Sequence, residues 1–548
     1  MDTRKVYIIL ILFIFSSTYA GIAMIQHAKD TSINQQSEYH QDQNDEQNNA
    51  DENQQGNSEN QNQNEEETND NKKQDDEVSK ARKLNVDHGN TVYKFNGTFD
   101  PEIQQISGTL IVKAINDTGV DQNSIYFHLY PMIYEEKIPL KGEDWDFIFG
   151  EKRTPGKMDV FDVKVSGKEV NSKIDGTIME VPLESWTQNE EVSIEMSFII
   201  DVPKNNGVFS YDDQSTWFGS WIPIKAVYTE EGWYLNPYHP IGDPLFSDIA
   251  SYDMTIKLPT NYQIATSGYD YESRIVTVSN QTFGSYHVVA ENVRDFAMVI
   301  MDDSYKLLQS KVDDVVVNVW YRNQTKEAMQ KYLEATEKSL QYFSERYGKY
   351  PYKEFDVIAT GGFFGGMEYP GLVFVQSQAF EKELTYGYTV IAHETAHQWW
   401  YALVGNNAIE EPWLDESLTN YSTLNFLLKH YPIVGEKTLN SQTKYLSKEI
   451  ENFKEEGQLI KLPAKDFAEW QTYILSIYYF GSQMFYHLDQ TIGEEKMNEA
   501  LKLYVERYSY KNASREDLIS VFEEVVGPQV REFFDSWLEN EVVKTLGN

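Results

Sequence analysis

Five consecutive residues in the second half of the chain have the types and spacing of a hydrolytic metal centre: His393-Glu394-Thr395-Ala396-His397. They lie in a run from Tyr388 to Trp400 without proline or glycine, so a helix is predicted there. On a helix, positions i and i+4 share a face, so both imidazoles point into one volume and can ligate one zinc ion. Glu394 sits about 100° further round, close enough to act as base toward a water at the metal. Catalytic zinc usually takes three protein ligands and keeps one position open. The third candidate is Glu416, with eighteen residues between it and His397. It lies in Glu411-Pro412-Trp413-Leu414-Asp415-Glu416-Ser417, where Pro412 is placed to begin a second helix. Leu418, Tyr421, Leu424 and Leu427/Leu428 recur behind it at helical spacing. A turn between the helices can return Glu416 to the histidines. The predicted ligand set is His393, His397 and Glu416, for one zinc ion per chain. The chain has no cysteine, which excludes thiolate ligands, disulfides and thiol catalysis.

The helices that hold these residues follow a long strand-rich stretch. From about Leu84 to Asp295 apolar residues alternate with period two, as in Thr109–Ala114, Val160–Val165 and Val192–Ile199. Turn signals such as Asn116-Asp117 and Ser166-Gly167 separate them, which predicts an antiparallel β-domain. The expected layout is a β-rich domain over 83–296 and a catalytic domain over 297–548. His128, His239 and His287 are far apart in sequence and read as packed or surface residues. The aromatic and proline-rich Trp233–Pro240 segment reads as core or loop packing.

The N-terminus reads as export followed by a spacer. Arg4 and Lys5 precede an uncharged stretch from Val6 to Ile25, and Thr18-Tyr19-Ala20 offers a cleavage site. The stretch is also long enough to span a bilayer. Residues 1–29 are therefore a cleaved signal or a retained anchor, the latter a membrane tether through residues 6–25. Either version puts the body outside the cytoplasm. Residues 30–82 are an acidic, Asn/Gln-rich tract that cannot bury enough apolar surface to order itself. The net charge of −39 argues against nucleic-acid binding, which needs a basic surface.

The two histidines, the eighteen-residue gap and the glutamate resemble the M1 family of zinc aminopeptidases, a thermolysin-like branch. Gly365-Gly366-Met367-Glu368-Tyr369 is similar to that family's G-[AG]-M-E-N signature. Trp413-Leu414-Asp415-Glu416 is similar to its W-L-N-E pattern, and Tyr478-Tyr479-Phe480-Gly481 to its Y-x-K-G segment. The resemblance implies an α+β multidomain protein: an N-terminal antiparallel β-domain, then a thermolysin-like, mainly α catalytic domain. It implies a zinc-dependent peptidase, acting on peptide or protein substrates as an aminopeptidase. In that scheme Glu394 is the general base and Tyr478 steadies the oxyanion, with Tyr479 as the neighbouring rival. Glu368 binds the substrate's α-amine, and Gly365, Gly366 and Met367 lie along the peptide.

The chain departs from the family at several points. Tyr369 replaces the signature asparagine, which is expected to alter one wall of the substrate site. Phe480 replaces the lysine. Thr423 stands where a carboxylate often supports the ligand glutamate, leaving Asn420 to serve. The β-region shows no clear match to a second amine-binding residue. Beyond about residue 490 only a few helices are expected, such as Glu494–Tyr508 and Arg515–Val526. This reads as a short form without the family's large C-terminal helical domain. A more open site keeps a zinc endopeptidase as the alternative, and an inactive membrane-tethered binding protein as a third reading.

Overall fold

A computed structural model describes residues 88–539, apart from 136–145, 147–148, 151–152, 244, 279–280, 363, 381–383, 457–459 and 468. The described residues fall in one compact unit, Val86–Asn548. The signal-or-anchor stretch and the acidic spacer lie outside them. Among the described residues no helix is long and apolar enough to cross a membrane.

The alternating stretches form strands as their period requires. Thr91–Asp100, Gln105–Ile115 and Glu191–Asp201 bury every second side chain and sit side by side in an eight-stranded sheet. Phe95, Leu110, Met196, Phe198 and Trp221 meet in the core beneath it. The sheet is antiparallel with one exception: Thr91–Asp100 runs parallel to Ala250–Pro259. Alternation fixes which face is buried but not the direction of a neighbour. Two four-stranded sheets and the two-stranded pair Tyr228–Thr229 and Gly232–Trp233 complete the region. One of the four-stranded sheets includes Met298–Asp302, paired with Ser215–Phe218 and Tyr262–Thr266. The strand pairing of the β-region therefore reaches Asp302, past the expected boundary at 296.

A mixed five-stranded sheet follows, in the order Lys306–Val312, Val315–Tyr321, Glu354–Thr360, Leu372–Gln376 and Gly366–Met367. Helix α1, Lys326–Tyr347, makes the crossover between the parallel strands Val315–Tyr321 and Glu354–Thr360. Thr325 caps it by accepting from the Ala328 amide. Gly366–Met367 is the outer strand, antiparallel to Leu372–Gln376.

The longer helices dominate the rest: α2 (Leu384–Ala396), α3 (Trp413–His430), α4 (Pro432–Glu456), α5 (Gly481–Ile492), α6 (Glu494–Tyr508), α7 (Arg515–Val526) and α8 (Gln529–Leu538). A π-helix, Ile474–Phe480, leads into α5. Arg294 is buried where the β-region meets the helices. It donates to the carbonyls of Ser247, Tyr401 and Lys511, and to Asn512. One guanidinium thus ties the β-region to the turn after α2 and to the short strand Lys511–Asn512.

Candidate metal centre and substrate site

Helix α2 ends at Ala396, yet the His397 amide still bonds the His393 carbonyl at 3.2 Å. The i to i+4 relation of the two histidines is therefore kept. Helix α3 begins at Trp413, directly after Pro412, and carries Glu416 in its first turn. The three side chains converge. Nε2 of His393 and Nε2 of His397 are 3.2 Å apart, and Oε2 of Glu416 lies 3.2 and 3.3 Å from them. Four tetrahedral ligands at zinc's bond length of about 2.0 Å are spaced about 3.3 Å from each other, so this triangle fits that ion. The donor set, two imidazoles and a carboxylate, suits it as well.

His397 is held by its other nitrogen. Nδ1 lies 2.9 Å from the Trp400 carbonyl, to which it donates, and 3.1 Å from the Thr419 hydroxyl. That tautomer leaves the Nε2 lone pair facing the centre. Asn420 does not support a ligand, contrary to expectation. Its amide donates to the Tyr478 carbonyl at 2.6 Å, and the neighbouring Thr419 is the side chain that reaches a ligand. Thr423 is buried with its hydroxyl unpartnered. Burial lowers His393 below the usual imidazole value. Burial alone would raise Glu416, but His397 and His393 outweigh it and hold the carboxyl well below the ordinary range.

Glu394 is buried beside the triangle, with one carboxylate oxygen unpartnered. Burial and then the charge of Glu368 raise it well above the usual carboxylate value. A β-carbon at Gly366 would overlap the Glu394 carboxylate, so the glycine lets the outer strand touch the base.

Tyr478 belongs to the π-helix, and its hydroxyl donates to Glu416 Oε1 at 2.5 Å. Its ring stacks on His393 at 5.9 Å between centroids. Ser417 and Asn420 of α3 donate to the carbonyls of Ile477 and Tyr478. They satisfy carbonyls of the widened turn. Gly481 allows this approach, since a β-carbon there would overlap Ser417. Tyr479, the rival, is buried in the core at 2% exposure. Phe480 is buried as well.

Glu368 follows the outer strand and is buried. Its carboxyl is pushed up to about 6 by burial, with Glu416 adding to the rise and His397 opposing it. Gln398, next to His397, donates to the carbonyls of Glu368 and Tyr369 and accepts from Gly371. It clamps the Glu368 segment to the end of the α2 helix. Tyr369 does not form a wall of the site. It is fully buried against Trp217 and Phe374, with its hydroxyl 3.4 Å from Ser220. The change from the signature asparagine is absorbed inside the β-region contact.

One residue escaped sequence reading altogether. Asp243, from the β-region, places a carboxylate oxygen within 4.8 Å of those of Glu368 and Glu416. Burial, then the charges of Glu368 and Glu416, push it well above the carboxylate range. The loop before it is tied to the helical half. Tyr234 donates to Glu410, Trp470 donates to the Pro240 carbonyl, and Gly242 packs on Ala464 and Tyr473. The Trp233–Pro240 segment is thus a bridge that delivers Asp243. Its aromatic density was the signal, but nothing in it pointed to the aspartate.

Comparison with known proteins shows what the chain is similar to. The fold is that of the M1 zinc metallopeptidase from Deinococcus radiodurans: TM-score 0.60, 15% identity, covering 84% of this chain and 96% of that one. Residues 331–537 match the Peptidase family M1 domain. The chain is similar to M1 aminopeptidases over part of its length. It is 28% identical to aminopeptidase M1-D of rice (Oryza sativa subsp. japonica) over 230 residues, 39% of this chain and 26% of that one. It is 30% identical to aminopeptidase N of Lactococcus lactis subsp. lactis over 156 residues, 27% and 18% of the two chains. The chain thus spans about a quarter of the rice relative's length.

Proposed function

We propose that the protein is a zinc-dependent aminopeptidase that removes N-terminal residues from peptides outside the cytoplasm. The observation that carries this reading is the carboxylate pair Glu368 and Asp243 beside the ligand triangle. Three crowded carboxylates, Asp243, Glu368 and Glu416, repel one another, and a cation relieves that repulsion. The α-ammonium of a peptide is such a cation and would sit one residue from the bond to be cut.

His393, His397 and Glu416 would hold the zinc ion, one per chain. The ion supplies polarisation of the scissile carbonyl and acidification of water. Glu394, positioned against Gly366, takes a proton from water and passes it to the leaving amine. The Tyr478 phenol, which donates to Glu416 in the structure, turns that one proton to the oxygen on which negative charge develops. Glu368 and Asp243 hold the amine, which sets the position of the first peptide bond.

The test compares a peptide with a free N-terminus and the same peptide acetylated, with and without a chelator. Zinc-dependent release of the first residue from the free peptide alone is expected. Equal cleavage of both forms would replace the aminopeptidase with an endopeptidase. The location is inferred from Arg4, Lys5 and the apolar run to Ile25. Fractionation with N-terminal sequencing checks it, and recovery of the uncleaved chain in the cytoplasm would sink it.

A further inference from the structure

The outer strand and the amine seat together give a bound peptide a direction. On the aminopeptidase reading, the amine lies at Glu368 and the bond to be cut lies by Glu394. Glu394 packs on Gly366, so the peptide passes from Glu368 back toward Gly366, antiparallel to Gly366–Met367. The residue after the cut bond then falls beside Gly365.

One side chain waits there that the mechanism does not use. The Tyr386 hydroxyl lies 3.8 Å from where a β-carbon on Gly365 would stand. Tyr386 is on α2, seven residues before His393, and so two turns back on the same face. It is half-buried. Burial first, and then the charge of Glu394, raise its phenol above the usual tyrosine range, so the group stays neutral. Gln376 fixes the ring and the strand to each other. Its Nε2 donates to the Tyr386 hydroxyl at 3.3 Å, and its Oε1 accepts from the Gly365 amide at 3.1 Å. The Gln376 amide also donates to the Gly365 carbonyl at 2.9 Å. Gln376 is itself buried. The ring is therefore held at a set distance from the backbone along which the peptide lies.

We propose that Tyr386 determines specificity at the substrate's second residue, its ring bounding the space for that side chain. The assignment rests on the aminopeptidase reading above, since it takes its direction from the amine at Glu368.

The test uses the full zinc-loaded chain, Tyr386→Ala and Tyr386→Phe. One peptide set varies the second residue behind a fixed first residue. Another set varies the first residue before a fixed second. Ratios of kcat/KM within one preparation cancel any difference in folded fraction. Tyr386→Ala is expected to raise the Phe-over-Ala ratio at the second residue about tenfold, while first-residue ratios stay within about twofold. Tyr386→Phe keeps the ring and is expected to keep the unmodified ratio. A Tyr386→Ala variant that shifts both sets alike, or neither, overturns the assignment. A Tyr386→Phe variant that shifts the ratio as far as alanine does overturns it too, by placing the effect in the bond to Gln376. If the unmodified chain releases no residue from any free-amine peptide, the aminopeptidase reading itself falls, and this assignment with it.

Discussion

The metal end of the site draws on two helices, α2 and α3, with only residues 397–412 between them. The amine end draws on Glu368, at the edge of a sheet, and on Asp243, in a loop of the β-region 125 residues earlier (368 − 243). Helical hydrogen bonds fix the histidines at the metal end, and His397 is further held by Trp400 and Thr419. The amine end is held by hydrogen bonds between distant segments: Gln398 to the Glu368 carbonyl, Tyr234 to Glu410, and Trp470 to the Pro240 carbonyl. Chemistry and selectivity thus rest on different supports. A substitution at one end should leave the other largely intact.

The strongest test of that separation is Glu394→Gln. It removes the base without touching a ligand and is expected to lower kcat/KM about a thousandfold. Zinc content, measured by elemental analysis, should stay at the unmodified level. Loss of the metal would show that base and ligands are not independent. Asp243→Asn acts at the other end. It is expected to raise KM for free-amine peptides about tenfold, since hydrogen bonds to charged groups contribute about 1.5–3 kcal/mol. The preference for free over acetylated peptides should narrow with it, while zinc content stays unchanged. An undiminished preference would remove Asp243 from the amine seat. Thr419→Val returns to the metal end and is expected to weaken zinc affinity about tenfold, the lower range for a residue that orients a ligand. Competition with a chromogenic chelator measures this, and the free-over-acetylated preference should not move.

The smallest expected effect concerns a buried acid away from the metal. Asp295 accepts from the Phe296 amide, has one oxygen unpartnered, and is pushed up to about 7 by burial. A carboxyl raised in the folded state binds its proton more tightly there than when unfolded. Its favourable contribution is full below the unfolded value and is lost as pH rises toward 7. Asp295→Asn should therefore flatten the fall in Tm between pH 5 and pH 8. Parallel Tm curves for the two proteins would contradict this.

How much of this was legible in the residues differs by element. The strand at 191–201 and the helices α6 and α7 announce themselves through their period, and α7 is also capped by Ser514. Pairing is harder. Thr91–Asp100 alternates as cleanly as its antiparallel neighbour, yet its other partner is parallel and lies 159 residues away (251 − 92). Tyr369 looked like part of a substrate wall because of its place in a motif. Its ring instead lies in the core that includes Trp217, with its hydroxyl 3.4 Å from Ser220, which no local signal marks.

The sequence by itself determined the metal end. Spacing on a helix fixes which side chains share a face, and a short turn can bring the next helix back, so His393, His397, Glu394 and Glu416 could be named from types and intervals alone. It also determined the alternating strands, because period two follows from the geometry of extended backbone. Only the tertiary structure decided that Asp243 joins Glu368 at the amine end, that the turn carrying Tyr478 is a π-helix, and that Tyr386 stands by Gly365. Those depend on contacts between segments far apart in the chain. Packing complementarity sets such contacts, and it leaves no periodic trace in the residues that make them.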